Sequence, residues 1–144
     1  MTTLTLIRRI KATPAIVFEA ISTAEGLTHW WGPDDLPVIE AEADVQVGGR
    51  YRVRFGTKDG LEHECAGEFL EVAPPERLVM SWRWVSGGEP RESESVTQVE
   101  MHLRPIEAGT ELTLIHAGLL DETSRRGHEG GWNGALDKFI RRFE

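Results

Sequence analysis

Alternation of apolar and polar residues between positions 36 and 118 constrains the fold more than any other feature of the sequence. A period of two places successive side chains on opposite faces of a β-strand, so that one face can be buried while the other meets water. Tyr51, Val53 and Phe55, for example, alternate with arginines. The other regular apolar rows are Leu78, Met80, Trp82 and Trp84; Thr97, Val99, Met101 and Leu103; and Leu112, Leu114 and His116.

Turn-forming residues separate these rows at short intervals. They are Gly48-Gly49, Lys58-Asp59-Gly60, Pro74-Pro75, Ser86-Gly87-Gly88 and Ala108-Gly109. Antiparallel strands accept such short connections, whereas parallel strands need a long crossover. The stretch therefore predicts about six consecutive antiparallel strands, with residues 36–45 and 62–72 as the less regular ones. The acidic run from Glu89 to Glu94 is expected in a solvated loop or at a strand end.

The N-terminal segment predicts one more strand and two short helices. Residues 3–11 alternate as a half-buried strand does. Thr13-Pro14 has the form of a helix start, because proline is tolerated at the first helical position. Ser22-Thr23-Ala24-Glu25 has the form of a capping box, so a second helix is expected from there to Gly32-Pro33, with Trp30 and Trp31 on its apolar side.

The C-terminal segment has helical periodicity, with an apolar face formed by Trp132, Leu136, Phe139, Ile140 and Phe143. Four glycines, Gly127, Gly130, Gly131 and Gly134, fall roughly opposite that face. Because each interior glycine costs about 1 kcal/mol relative to alanine, this stretch is expected to fray, to start late or to be held by tertiary contact, and the helix is expected at least from Trp132 onward. The glycine stripe is also compatible with a homodimer. A sheet with one apolar face needs a cover, so this helix is expected to lie across it in an α+β domain.

The charge balance narrows the possible functions. Sixteen Lys and Arg residues against 24 Asp and Glu residues give a formal net charge of -8 at pH 7. Such a surface repels phosphate backbones and anionic lipids, so neither nucleic acid nor a membrane is expected as a partner. Cys65 is the only cysteine, which excludes an internal disulfide. We expect a single domain over residues 1–144 in the cytoplasm.

Landmarks spread along the chain resemble the family of the activator of the ninety-kilodalton heat-shock-protein ATPase (AHSA-type), in the START-like helix-grip superfamily. They are Ala12-Thr13-Pro14 with Val17 and Ala20, Trp30-Trp31-Gly32-Pro33, Val47-Gly48-Gly49-Arg50-Tyr51, Gly67, Pro74-Pro75-Glu76-Arg77-Leu78, Trp82, Gly109-Thr110, Leu112, Leu114, His116, Gly131-Trp132 and Leu136. The resemblance implies a birch-pollen-allergen-like fold: a curved antiparallel sheet of about six or seven strands, two short helices after strand 1, and a long C-terminal helix over the concave face.

The resemblance also implies a set of functions. Members of the superfamily hold lipids, sterols, polyketides or other apolar molecules in a cup between the sheet and the last helix. Binding of a small hydrophobic or amphipathic ligand, without committed catalysis, is therefore the first expectation. A cyclase or aromatase type of enzyme using His116 and Tyr51 is one alternative, and modulation of a chaperone ATPase is the other.

Tyr51, Trp82 and His116 fall on strand faces assigned to the interior, where a phenol, an indole N–H and an imidazole could converge on a ligand. The same three side chains could equally be hydrogen-bonded core residues. The wider candidate lining is Phe18, Trp30, Tyr51, Phe55, Trp82, Met101, His116, Trp132 and Leu136. No cofactor or metal is expected: His63 and Cys65 are suitably spaced on one strand face, but two ligands do not make a zinc site.

Overall fold

A computed structural model describes residues 1–144, and all seven strands lie in one antiparallel sheet in the order β1-β7-β6-β5-β4-β3-β2. The elements are β1 (Thr2–Ile10), α1 (Pro14–Ser22), α2 (Ala24–Leu27), β2 (Val38–Ala43), β3 (Arg50–Gly56), β4 (Glu62–Ala73), β5 (Arg77–Ser86), a single 3-10 turn (Pro90–Glu92), β6 (Thr97–Ile106), β7 (Gly109–Leu119) and α3 (Glu122–Arg142). The predicted fold class is confirmed: a curved antiparallel sheet, two short helices after the first strand, and a long C-terminal helix.

The strand register follows from the alternation in the sequence. From β2 to β7 each strand pairs with the next one in the chain, and β1 then pairs with β7, so β1 and β2 form the edges. On β3 the apolar residues face inward and the arginines face outward. Arg52 contacts the carboxylates of Glu40, Glu42 and Glu64 on the two neighbouring strands. Such exposed ion pairs contribute little to stability individually, but they fit the predicted polar face.

The core forms one cluster of 28 buried residues between the inner face of the sheet and the helices. Trp30 is completely buried and donates its indole N–H to the Ala20 carbonyl oxygen at 2.9 Å. Its ring meets that of Phe139 edge to face, with 5.0 Å between centroids. This contact joins the turn after α2 to the second half of α3, which packs directly on the core.

Helix α2 is shorter than predicted. It ends at Leu27, and hydrogen-bonded turns carry the chain to Trp31, whose backbone N–H donates to the Leu27 carbonyl oxygen at 3.2 Å. Trp30 and Trp31 therefore lie beyond the helix. Gly32, with a φ of +94°, then turns the chain away, a conformation that glycine adopts without a Cβ clash.

Helix α3 begins at Glu122 and so includes the glycine-rich stretch before Trp132, one of the alternatives that the sequence left open. The Asp121 carboxylate accepts a hydrogen bond from the Ser124 backbone N–H at 2.9 Å, and Glu122 pairs with Arg125 one turn later at 2.7 Å. A capped first turn offsets part of the cost of the four interior glycines. Glycine is required at position 134 for a different reason, because a Cβ there would lie 2.0 Å from the Pro33 carbonyl oxygen. Gly134 therefore serves a contact within the chain rather than a face open to a second copy.

Candidate ligand cavity

A cavity of about 450 Å³ opens between the first half of α3 and one end of the sheet. Its wall is formed by the turn after Trp31, the adjoining ends of β3, β4 and β5, the loop at 88–92, and the α3 segment 123–135. Five large aromatic side chains contribute to this wall: Trp31, Phe55, Trp82, Trp84 and Trp132. Its size and aromatic lining are those of a site for a small organic molecule.

The structure brings only part of the predicted lining to this cavity. Phe55, Trp82 and Trp132 line it. The remaining candidates, Phe18, Trp30, Tyr51, Met101, His116 and Leu136, are buried in the core outside the cavity wall. The reason is the position of α3: Leu136 and Phe139 in its second half are completely buried in the core, whereas this cavity lies under its first half.

Tyr51 illustrates this difference. Its hydroxyl donates to the Ser81 carbonyl oxygen at 2.7 Å, and its ring packs against Phe69 with 5.5 Å between centroids. Burial raises the pKa of the Tyr51 phenol well above its usual value. The phenolic hydroxyl is therefore hydrogen-bonded within the core and offers no donor to the cavity.

His116 is also fully satisfied by protein groups. The Trp132 indole N–H donates to His116 Nδ1 at 3.0 Å, so the ring proton lies on Nε2, which is 2.7 Å from Thr97 Oγ1. Thr97 Oγ1 in turn donates to the Trp82 carbonyl oxygen at 3.2 Å. Burial, followed by the neighbouring His128, holds the pKa of His116 well below 6.5. The imidazole is thus a neutral link between α3 and the sheet.

A neutral buried histidine makes stability depend on pH. The unfolded chain takes up a proton at His116 below about pH 6.5, whereas the folded chain does not. The contribution of neutral His116 to the stability of the fold is therefore complete above that pH and is lost below it. We expect the free energy of unfolding to fall by up to about 1.4 kcal/mol per pH unit from this group between about pH 6.5 and 5. Urea unfolding of the wild type and of His116→Gln across that range measures it. Glutamine can accept from Trp132 and donate to Thr97, so parallel pH curves for the two proteins would contradict the assignment.

Trp82 stands at the centre of an aromatic cluster in the cavity wall. Its ring centroid lies 4.5 Å from that of Trp84, 5.0 Å from that of His128 and 5.3 Å from that of His116, each time edge to face. Trp31 and Trp132 meet in the same way at 5.2 Å. Edge-to-face contacts fix the ring orientations, so the wall is largely preformed.

Glu92 and His128 are functional candidates that the sequence interpretation missed. Glu92 was expected in a solvated loop or at a strand end, but it lies on the 3-10 turn and is only 4% exposed. Its Oε1 is 2.8 Å from His128 Nε2 and accepts from the Trp84 indole N–H at 3.2 Å. An acidic residue followed by serines and another acid carries no sequence signal of burial, so the pairing emerges only when α3 and β5 meet.

Two further contacts shape the cavity rim. His63 Nδ1 accepts from the Gly88 backbone N–H at 2.8 Å and so ties β4 to the loop that carries Glu92. Gly88 has a φ of +72°, and a Cβ there would lie 2.2 Å from the Trp84 ring. Any side chain at position 88 would therefore displace Trp84 from the wall.

Cys65 lies beneath the wall rather than on it. It is completely buried, and its Sγ accepts from the Trp31 indole N–H at 3.3 Å. Burial is the main cause that raises the pKa of this thiol to about 12. A thiol with so high a pKa is not a nucleophile near neutral pH, and its role is to hold Trp31 in place.

A seven-stranded antiparallel sheet gripped by a long C-terminal helix, with an aromatic cavity at one end, defines a helix-grip protein. The model of the family described as Activator of Hsp90 ATPase homolog 1-like protein matches residues 11–144, and the chain belongs to that family. The resemblance stated from the sequence landmarks is thereby confirmed. A comparison with curated proteins gave no match. None of the helices is sufficiently long and apolar to span a membrane.

Solved structures share the fold over nearly the whole chain. A protein from Chromobacterium violaceum is 25% identical with a TM-score of 0.84, and the match covers 100% of this chain and 99% of that one. An AHSA1 protein from Silicibacter pomeroyi is also 25% identical with a TM-score of 0.84, over 98% of this chain and 96% of that one. A protein from Arthrobacter aurescens, 22% identical with a TM-score of 0.81 over 96% and 83% of the two chains, shares the fold.

Proposed function

We propose that this protein binds a small apolar or amphipathic organic molecule in the cavity beneath the first half of α3, without committed catalysis. The observation that carries the proposal is the cavity itself, about 450 Å³ in volume and walled by five large aromatic side chains. Water finds few hydrogen-bond partners on such an aromatic wall, whereas an apolar ligand of drug size buries most of its surface there.

Catalysis by His116 and Tyr51 has no comparable support. The two side chains are buried in the core, each with its polar atoms engaged by protein groups. A general acid or base must come within hydrogen-bond reach of the proton that it transfers. Neither group lies on the cavity wall, so a ligand in the cavity would meet neither of them.

Modulation of a chaperone ATPase is a second candidate, favoured by the family match over residues 11–144. It predicts that the purified protein changes the ATPase rate of the chaperone of its own organism. An unchanged rate at protein concentrations above that of the chaperone would remove this candidate and leave ligand binding untouched.

Filling the cavity tests the binding proposal directly. Gly127 lies on the α3 segment of the wall, and a Cβ there meets no atom within 4 Å. We expect Gly127→Leu to fold, because leucine is the better helix former, and to lower the affinity for a neutral naphthylmethanol probe by about tenfold or more. Calorimetric titration measures the affinity.

Gly130→Leu is the matched control for this variant. Gly130 lies on the same helix, is exposed, also has open space at the position of a Cβ, and does not line the cavity. It should bind the probe as the wild type does. Equal weakening in both variants, or in neither, would place the probe outside this cavity.

A further inference from the structure

We propose that the ligand carries a positive charge: an organic amine cation on an apolar body, with its ammonium group against Glu92. The inference rests on the proposed function and adds the chemical class of the ligand. It follows from the charges of the cavity wall, the unused hydrogen-bond capacity of Glu92, and the indole-rich surroundings of its carboxylate.

The charges on the wall are one-sided. Glu89 and Glu92 are the only Asp, Glu, Lys or Arg side chains that line the cavity. Arg91 pairs with Glu89 at 2.6 Å, and this contact holds the pKa of Glu89 below its usual value. Arg91 also pairs with Asp121 at 2.7 Å, so its guanidinium is already shared between two carboxylates. Glu92 has no Lys or Arg partner.

The Glu92 carboxylate is only half satisfied. A carboxylate is an acceptor with room for about four hydrogen bonds. Oε1 takes both contacts, from His128 and from Trp84, and no protein group donates to Oε2. Glu92 lines the cavity, and Oε2 is not among the fully buried polar atoms that lack a partner, so a ligand in the cavity can reach this oxygen. An ammonium N–H in the cavity would supply the missing donor, which a neutral hydrocarbon cannot do.

The aromatic wall favours the same charge. Indole rings attract cations through the negative potential of their faces, and tryptophan does so better than the other aromatic residues. Trp84 contacts the Glu92 carboxylate directly, and Trp82 packs against Trp84. The ionisable neighbours are His128, which holds the carboxylate, His116, which is buried neutral, and His63 across the rim. An anionic ligand would meet Glu92 without any Lys or Arg side chain on the wall to offset the repulsion.

Three probes built on the same naphthalene ring test the charge of the ligand. Naphthylmethylamine, naphthylmethanol and naphthoate differ in carrying a positive, a zero and a negative charge. At about pH 8 the amine remains mostly protonated and the naphthoate is ionised. We expect the amine to bind the wild type about ten- to a hundredfold more tightly than the alcohol, and the carboxylate to bind least. Calorimetric titration at low and high salt gives the affinities.

The variant Glu92→Gln should abolish the preference of the amine over the alcohol while still binding the alcohol. Glu94→Gln removes the same charge two positions along the chain, from an exposed residue outside the cavity wall, and should keep the preference. Circular dichroism melting checks that both variants fold. If the variant at position 92 fails to fold, the wild-type affinities decide alone.

The outcomes separate the two proposals. Equal affinities of the amine and the alcohol for the wild type, or a preference that survives in Glu92→Gln, would overturn the positive charge and leave ligand binding intact. Failure of all three probes to bind would overturn the binding proposal itself. A preference for naphthoate would overturn the charge assignment and show that a basic group reaches the cavity.

Discussion

Trp30→Ala is expected to lower the free energy of unfolding by about 3–5 kcal/mol, the range observed when a large buried aromatic side chain is removed. Trp30 is completely buried and is surrounded by Trp31, Trp132 and Phe139, whose ring centroids lie within 6.2 Å of its own. The variant also leaves the Ala20 carbonyl oxygen without its indole donor. Because the neighbouring rings come from two different elements, they cannot close in on the space without moving α3.

Urea unfolding followed by far-ultraviolet circular dichroism measures this loss. Leu61→Ala is the control, since Leu61 is 58% exposed and its truncation should change the stability by no more than about 0.5 kcal/mol. A loss below about 1.5 kcal/mol for Trp30→Ala would mean that the ring is not packed as described.

The fold follows closely from the sequence, because its determinants are local. Alternation on β3, β5, β6 and β7 depends only on which residues are apolar, and the short turns between strands leave antiparallel pairing as the simple solution. The end points of the helices were less predictable. The glycines at 127 and 130 argue against a helix, and only the Asp121 cap and the docking of α3 on the core show why it begins at Glu122.

The position of the cavity does not follow from the same patterns. Apolar and polar alternation in the sequence predicts only that a side chain is buried. A side chain in a packed core and one on a cavity wall produce the same alternation. Trp30 and Trp31 are adjacent and both buried, yet Trp31 lines the cavity and Trp30 does not. His116 and Tyr51 were assigned to the interior and are there, but their partners lie on other strands and on α3.

The burial of Glu92 could not be predicted from the sequence either. Nothing within its own turn marks it as buried, because both of its donors, His128 and Trp84, lie on other elements. Polar residues in such positions are recognised from contacts between elements. A buried carboxylate with spare acceptor capacity indicates a ligand more strongly than the residues beside it in the sequence do.

The contact of Gly134 with Pro33 joins α3 to the turn that carries the paired tryptophans. A Cβ at position 134 would lie 2.0 Å from the Pro33 carbonyl oxygen and 2.8 Å from the carbonyl carbon. Both are backbone atoms, so no side-chain rotation can relieve the clash. Gly130, one helical turn earlier, has nothing within 4 Å of the same position. The two glycines therefore make a matched pair on one helix.

Alanine at these two positions is expected to act with opposite signs. Gly130→Ala should raise the free energy of unfolding by about 0.5–1 kcal/mol, because alanine restricts the unfolded chain and favours the helix. Gly134→Ala gains the same helix propensity but forces α3 away from the turn at Pro33. Its free energy of unfolding should therefore lie about 2–3 kcal/mol below that of Gly130→Ala. Since Trp31 and Pro33 both line the cavity, the shifted helix should also weaken binding of naphthylmethanol. Equal stability of the two alanine variants would show that α3 does not approach Pro33 this closely.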